Sequence, residues 1–323
     1  MSGFLIGVVC AVILAYLFPS WGTAEGPLKT ALTTKIGVFI IFFFQGLGMP
    51  TETLKKGLLN WRLHLTIQTY IFLLFPLFSL GILLVIRFLS GGAGFLEGDL
   101  WLGFLYLIIL PTTISTAVVL IGQSHGNVSA AIFNTAASNI FGIFWVPLVA
   151  VLIVSQAAQT TLPLAALMQS IALMLLLPFL IGQFVRPLLR EWAARHKKTF
   201  TKLSNLIIYY MIFVAFAQSF YNEVWSDFGL GLIGGTVLSV LILLGFHTVV
   251  AYQFGKILKF EKEDCVALLF CGSQKTLATG LPMAGTLFID SGLKMGFILL
   301  PLMLYHPIQI IVGGFLAQRL QKE

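Results

Sequence analysis

Charged residues are scarce in this chain of 323 residues: Asp, Glu, Lys and Arg make up 10% of it, and hydrophobic residues 58%. An ordinary soluble domain is excluded, because such domains carry about 25% charged residues. Acidic residues are the scarcest, and all twelve lie in predicted loops or at the ends of apolar segments. The apolar segments therefore have no carboxylate near their middle.

Cysteine is also rare. Cys10, Cys265 and Cys271 show neither metal-ligand spacing nor a disulfide pattern, and we interpret them as small packing residues. A membrane-embedded enzyme would need a nucleophile, a metal cluster or an acid/base pair, and the apolar segments contain no acid, no paired histidines at ligand spacing and no GxSxG motif. The sequence therefore predicts a protein that is not an enzyme and has no cofactor.

Apolar segments of roughly 20 residues are long enough to cross the hydrocarbon core of a bilayer. Ten such segments, numbered here as spans 1 to 10, cover residues 4–21, 35–50, 63–89, 101–122, 128–154, 163–187, 203–223, 229–257, 265–289 and 296–318. They predict an all-α polytopic membrane protein with ten transmembrane helices embedded in the lipid bilayer.

Lysine and arginine accumulate in cytoplasmic loops of membrane proteins. With both termini in the cytoplasm, the inner loops and tail hold fourteen of the nineteen basic residues, the outer side holds four, and Lys275 lies within span 9. The net charge of +7 is therefore a topology signal, and no nucleic-acid partner is expected. We predict a multi-pass plasma-membrane protein, and the short tails and loops fit a bacterial inner membrane.

Spans 4 and 9 are both interrupted near their middle by residues that weaken a helix. Span 4 contains Pro111–Thr116 and span 9 contains Gly272–Thr276. Proline removes a backbone donor, and hydroxyls bond the groups set free. Five spans in residues 1–160 and five in 161–323 predict two inverted repeats, and matching breaks point to the binding site of a transporter. The alternative is a pair of kinked packing helices.

Lys275 is a charge inside span 9, where insertion scales assign a cost of roughly 3 kcal/mol, so we expect it to face a functional cavity. The residues expected to hold its charge are Thr112, Thr113, Ser115, Thr116, Asn134, Thr135, Ser138 and Asn139. The last four share one face of span 5. For that face, interhelical hydrogen bonding is the alternative role. For Lys275, the alternative is a structural charge paired with the carbonyls of a helix break.

Three segments, residues 110–119, 130–136 and 270–277, resemble the bile acid/sodium symporter superfamily and specifically its divergent SBF-like branch. The resemblance implies a panel domain of spans 1, 2, 6 and 7 and a core domain of spans 3–5 and 8–10, which move against each other. Broken spans 4 and 9 would cross within the core. It also implies an organic anion as substrate.

This sequence departs from the pattern of the sodium-coupled members. They carry a glutamate four residues before the glutamine of span 9, where this chain has Phe270 before Gln274. Their Ser-Asn pair after the span 4 proline corresponds to 116–117, Thr-Ala here, and of two span 5 hydroxyls only Thr135 remains, the other position being Ala131. A residual sodium site would consist of Thr116, Thr135, Gln274 and Gln68.

The departures lead to a hypothesis about the coupling cation. A sodium ion about 4 Å from an ammonium would be repelled by on the order of 4 kcal/mol at an effective dielectric of about 20. We therefore expect a secondary active transporter of a small organic anion, bile-acid-like or another amphipathic carboxylate or sulfate, that works by alternating access with Lys275 replacing sodium. Burial disfavours the ammonium, so proton coupling is a further option.

Two alternatives remain: a sodium-coupled symporter with a cation site that lacks a carboxylate, and a non-transporting regulatory protein on the same fold. His306 and His247 are candidates for proton relay, with a hydrogen-bonded structural role as the alternative. The complete set of predicted substrate-binding or ion-binding residues is Thr112, Thr113, Ser115, Thr116, Asn134, Thr135, Ser138, Asn139, Ser273, Gln274, Lys275, Thr276 and His306.

Overall fold

The computed structural model describes residues 3–23, 25–48, 60–90, 96–158, 169, 172–221, 230–288 and 292–322. Within these ranges the secondary structure is helical, without strands, and seven helices are long and apolar enough to cross a membrane. The predicted all-helical membrane protein is confirmed. Spans 1, 4 and 9 fall on shorter helices, and the ten-span inverted repeat stays a prediction.

In chain order, the described helices are α1 (Gly3–Leu17), α2 (Thr30–Gly48), α3 (Trp61–Leu89), α4 (Gly98–Ile109), α5 (Ser115–Gln123), α6 (Val128–Ala158), α7 (Leu177–Arg195), α8 (Lys197–Tyr221), α9 (Leu230–Ile257), α10 (Lys262–Ser273), α11 (Leu277–Leu287) and α12 (Met295–Leu320). Helix α7 continues eight residues beyond the predicted end of span 6, through a solvated stretch where Arg195 pairs with Glu191 at 3.7 Å. A hydropathy count finds the part of a helix that is in lipid, whereas the helix itself extends into water.

Two compact units make up the chain. The first unit consists of Met1–Met49, Pro147–Gly229 and Ala278–Leu299, and the second of Pro50–Val146, Leu230–Leu277 and Leu300–Glu323. Helices α2 and α7 of the first unit approach each other closely at two glycines. An ideal Cβ on Gly46 would lie 2.1 Å from the Phe179 carbonyl oxygen, and one on Gly182 would lie 2.3 Å from that of Phe43. Small residues permit such backbone contact between membrane helices.

We expect Gly46→Ala to destabilise the protein by about 1–3 kcal/mol, the usual cost of overpacking a tight contact. Gly48→Ala on the same helix is the matched control, because a Cβ there meets nothing within 4 Å. Alanine is favoured over glycine within a helix, so the control is expected to be neutral or mildly stabilising. Thermal unfolding of the purified proteins in detergent measures both. Equal unfolding temperatures for the two variants would contradict the proposed contact.

The second unit contains α3, α4, α5, α9, α10, the first part of α6 and most of α12. Asp264, in the first turn of α10, ties the starts of three helices together. Its carboxylate accepts hydrogen bonds from Asn60 at 3.1 Å and Asn127 at 2.7 Å, which lie just before α3 and α6. The Asn127 side chain in turn caps α6 by accepting a bond from the backbone of Ala130 at 2.9 Å. The amino-terminal ends of α3, α6 and α10 are thereby fixed relative to one another.

Candidate functional site

Spans 4 and 9 are interrupted where the sequence predicts. Helix α4 ends at Ile109, and Leu110 is extended, with φ −67° and ψ 149°, because the following Pro111 disfavours a helical residue before it. The second interruption begins after Ser273, where Gln274 is extended, with φ −94° and ψ 148°. Each interruption leaves unpaired backbone groups at the end of a short helix.

The two interruptions lie against each other within the second unit. The backbone N–H of Thr276 donates to the Pro111 carbonyl at 3.0 Å. Lys275 Nζ donates to the carbonyls of Ile108 at 3.0 Å and Leu110 at 2.7 Å. Residues of the second break therefore bond carbonyls that the first break leaves free at the end of α4.

The Lys275 side chain is fully buried, with 0% of its surface exposed. Its Nζ has two carbonyl acceptors and lies 3.8 Å from the centroid of the Phe75 ring, within cation–π range. A cation at the carboxyl end of α4 also interacts favourably with the negative end of the helix dipole. The two carbonyls are the partners expected from the alternative interpretation of Lys275, a structural charge paired with the carbonyls of a helix break. They are not the span 4 and span 5 hydroxyls and amides expected from the sequence.

Helix α12 holds the second break from the other side. The Gln309 amide accepts from the Lys275 backbone N–H at 2.8 Å and donates to the Lys275 carbonyl at 2.8 Å. Its Nε2 also lies 2.9 Å from His306 Nδ1, and Tyr305 donates to the Ser273 carbonyl at 2.6 Å. Because the backbone partners fix the orientation of the Gln309 amide, His306 Nδ1 is the acceptor of that bond.

Of these three α12 residues, only His306 is among the predicted binding residues. Gln309 and Tyr305 are buried, at 1% and 0% exposed. Their spacing of four residues, which places two polar groups on one face of an apolar span, is the signal that would have found them.

Threonines of span 4 connect to Gln274. Thr116 Oγ1 donates to Gln274 Oε1 at 3.1 Å and lies 2.9 Å from Thr113 Oγ1. The carbonyl of Thr112 accepts from Asn139 at 2.9 Å. Ser115 begins α5, and its side chain is outside the described part of the structure.

The polar face of α6 bonds mainly to its own backbone and to α3. Ser138 and Asn139 both donate to the Thr135 carbonyl, at 3.1 and 2.8 Å, and the Thr135 hydroxyl donates to the Ile132 carbonyl at 3.3 Å. Gln68 donates to the carbonyl and side-chain oxygens of Asn134, both at 3.1 Å. Of the four residues of the residual sodium site, Thr116 and Gln274 meet, whereas Thr135 and Gln68 bond in other networks.

His64 is a further histidine, in the first turn of α3. In the structure it is buried, 8% exposed, and its Nδ1 accepts a hydrogen bond from Asn134 at 2.8 Å. Its ring also packs on Phe133, with centroids 4.1 Å apart. Packing of α3 against α6 buries this histidine, and no pattern in the sequence of span 3 alone indicates that contact.

Three buried polar atoms near the breaks are without a hydrogen-bond partner among the described residues: Gln68 Oε1, Thr112 Oγ1 and Gln274 Nε2. Gln274 also lines a small cavity with Ser273, Gln309 and Gly313, which has space for about one water molecule. In the described ranges, no group of three or more His, Cys, Asp or Glu residues could hold a metal ion. The polar chemistry at the breaks therefore rests on amides, hydroxyls, carbonyls, the His306 imidazole and the Lys275 amino group.

Comparison with known proteins gives a family match over nearly the whole chain. A model described as the SBF-like CPA transporter family matches residues 2–322. The chain is 35% identical over 324 residues to "Putative symporter YfeH" of Escherichia coli (strain K12), with 100% of this chain and 94% of that protein covered. It is 31% identical over 315 residues to "Sodium/bile acid cotransporter 7" of Danio rerio, with 97% of this chain and 91% of that protein covered.

Proposed function

Because this chain belongs to the SBF-like CPA transporter family and is an integral membrane transporter, we propose that it carries an organic anion by secondary active transport, with the Lys275 ammonium in place of the coupling sodium ion. The substrate class follows the name of the Danio rerio relative, a sodium/bile acid cotransporter. An amphipathic carboxylate or sulfate fits that class.

The surroundings of Lys275 Nζ carry this proposal. Two carbonyl oxygens and one ring face surround the ammonium, and its side chain has no exposed surface. Carbonyl oxygens are also the ligands that a bound sodium ion would take. The ammonium therefore acts as a tethered cation of the helix break: two of its three N–H groups have carbonyl acceptors, and the ring of Phe75 lies 3.8 Å from Nζ. Direct binding of the anion by Nζ receives no support from this geometry.

The architecture proposed for alternating access has a panel and a core. The first unit contains the described helices of spans 1, 2, 6 and 7, and the second contains those of spans 3, 4, 8 and most of 10. The helices of spans 5 and 9 are divided between the two units. The grouping of spans 1, 2, 6 and 7 supports the panel, whereas the assignment of all of spans 5 and 9 to the core has no support from this division. The interruption in each half supports inverted repeats of residues 1–160 and 161–323. We further propose a bacterial inner membrane with both termini in the cytoplasm.

Sodium-coupled symport is the second candidate function, favoured by the name of the Danio rerio relative and by the contact of Thr116 with Gln274. Here a cation would be held without a carboxylate. The Lys275 ammonium argues against it, because like charges about 4 Å apart repel by on the order of 4 kcal/mol at an effective dielectric of about 20.

Uptake by proteoliposomes tests the two candidates. The purified protein is reconstituted and supplied with a panel of organic anions, bile acids among them, under an inward sodium gradient or a matched potassium gradient, at pH values from about 5 to 8. We expect saturable uptake of at least one anion at the same rate under both cations. Uptake that requires sodium would support the second candidate. No flux of any anion, together with no ligand-induced stabilisation, would contradict the proposed substrate class and favour a non-transporting regulatory role.

A further inference from the structure

Phe75 lies between two nitrogen-bearing side chains. Lys275 Nζ is 3.8 Å from the centroid of its ring, and the imidazole of His247 stacks on it at 3.7 Å with an interplanar angle of 15°. Two groups this close to one ring centroid must occupy opposite faces of the ring. Phe75, His247 and Lys275 are all fully buried, each 0–1% exposed. The ring is therefore held by its neighbours and has no room to move away from the ammonium.

Helix α3 presents this ring through a local irregularity. A π-helical turn spans Tyr70–Leu74 and ends just before Phe75, and the next residue, Pro76, has no backbone N–H for a regular helix. Single π turns inside α-helices are frequent at functional sites. The widened turn shifts the helical register, so that residues on both sides of it reach the same neighbour.

That neighbour is His247 of α9. Its Nδ1 lies 3.0 Å from the Tyr70 hydroxyl, and its Nε2 lies 2.8 Å from the Ser79 hydroxyl. Hydrogen bonds at both ring nitrogens fix the plane of the imidazole. Since that plane is nearly parallel to the Phe75 ring, the imidazole holds the opposite ring face toward Lys275.

We propose that Phe75 is a positioning residue, a cation–π platform that holds the charged Lys275 ammonium against the carbonyls of Ile108 and Leu110. The inference deepens the proposed function and rests on it, because a platform of this kind matters only if Lys275 serves as the internal cation. The carbonyls satisfy two N–H groups, and the electron-rich ring face supplies the negative potential on the remaining side. The ring chemistry of Phe75, beyond its size, is therefore part of the site.

Fluorinated phenylalanines separate ring electronics from ring shape. We would place one-, two- and three-fluorine analogues at position 75 of the full chain by stop-codon suppression and measure the thermal unfolding temperature of each purified protein. Each fluorine withdraws electron density from the ring face while the volume stays nearly constant. The unfolding temperature is expected to fall stepwise with the number of fluorines. The same series at Phe104, a fully buried residue of α4 in the same unit, is the matched control and is expected to show no such steps.

The Lys275→Met background isolates the ammonium from the stacked imidazole. There the dependence on fluorine number is expected to disappear, and a dependence that persists, or its absence in the native background, overturns the proposal. If Lys275→Met does not fold, the contrast between the Phe75 and Phe104 series decides. Failure of the proposed function looks different: Lys275→Met would then transport at the native rate while the fluorine dependence at Phe75 remains intact.

Discussion

Replacing Lys275 with alanine or glutamine is expected to lower the rate of anion uptake by about tenfold or more, since each 1.4 kcal/mol lost from the productive state is worth a factor of about ten. Either change removes the buried cation: alanine leaves the Ile108 and Leu110 carbonyls without their donor, and the shorter glutamine offers only a neutral amide donor. An unsatisfied buried acceptor costs about 1–3 kcal/mol. The contact between the span 4 and span 9 interruptions should therefore be weaker in both variants.

The effect of each Lys275 substitution is measured as uptake into proteoliposomes. The substrate is an anion that the native protein takes up in the experiment with sodium and potassium gradients described above. The matched control is Lys256→Ala, because Lys256 also lies over an aromatic ring, that of Tyr252 at 4.7 Å, but is exposed at the end of α9. We expect the control to transport normally. Native uptake in both Lys275 variants, with an unchanged response to pH and sodium, would exclude the internal-cation role.

The position of Lys275 was predictable, but its partners were predictable only as a class, the carbonyls of a helix break. A charge in an apolar span and the helix-breaking Pro111 can both be recognised from residue type. Carbonyl acceptors have no such signature, because every residue carries one. That Ile108 and Leu110 offer theirs to Lys275 depends on how the two breaks pack. The sequence therefore indicates where the site is and leaves open which backbone groups complete it.

The polar face of span 5 is a second case in which the sequence indicates the location of polar residues but not their partners. Its periodicity predicts that Asn134, Thr135, Ser138 and Asn139 face protein. The structure divides them: Asn134 bonds Gln68 and His64, whereas Asn139 reaches Thr112 at the span 4 break. A shared face defines a direction, but the partners along it change between Asn134 and Asn139, which are about one and a half helical turns apart. Interhelical hydrogen bonding, the alternative role of this face, describes these contacts directly.

The predicted site residues include no phenylalanine, tyrosine or tryptophan. The chain has 29 phenylalanines, and in a hydrophobic sequence Phe75 looks like any other lipid-facing or packing residue. Its role appears only when the π-helical turn at Tyr70–Leu74 is known, because a regular α-helix would direct the ring elsewhere. Residue spacing assumes 3.6 residues per turn, so it fails where a helix departs from that value.

Gln309→Leu is expected to lower the free energy of unfolding by about 2–6 kcal/mol, because it leaves two buried backbone groups without partners at about 1–3 kcal/mol each. The native amide bonds both the N–H and the carbonyl of Lys275, and it donates to His306. Gln318→Leu, at an exposed position of the same helix, is the matched control and should change stability little. Thermal unfolding and chemical denaturation of the purified proteins measure both changes.

Gln309→Glu sharpens this prediction, because a carboxylate keeps the acceptor for the Lys275 N–H and loses the donor for the Lys275 carbonyl and His306. If the amide acts by fixing the backbone of the break, Gln309→Glu should be destabilised like Gln309→Leu, and anion uptake should fall in both. If a second charge near Lys275 simply pairs with the ammonium, Gln309→Glu should instead be more stable than Gln309→Leu and retain uptake. The amide at position 309 would then be replaceable, and the position of Lys275 would depend on the α4 carbonyls and Phe75 alone.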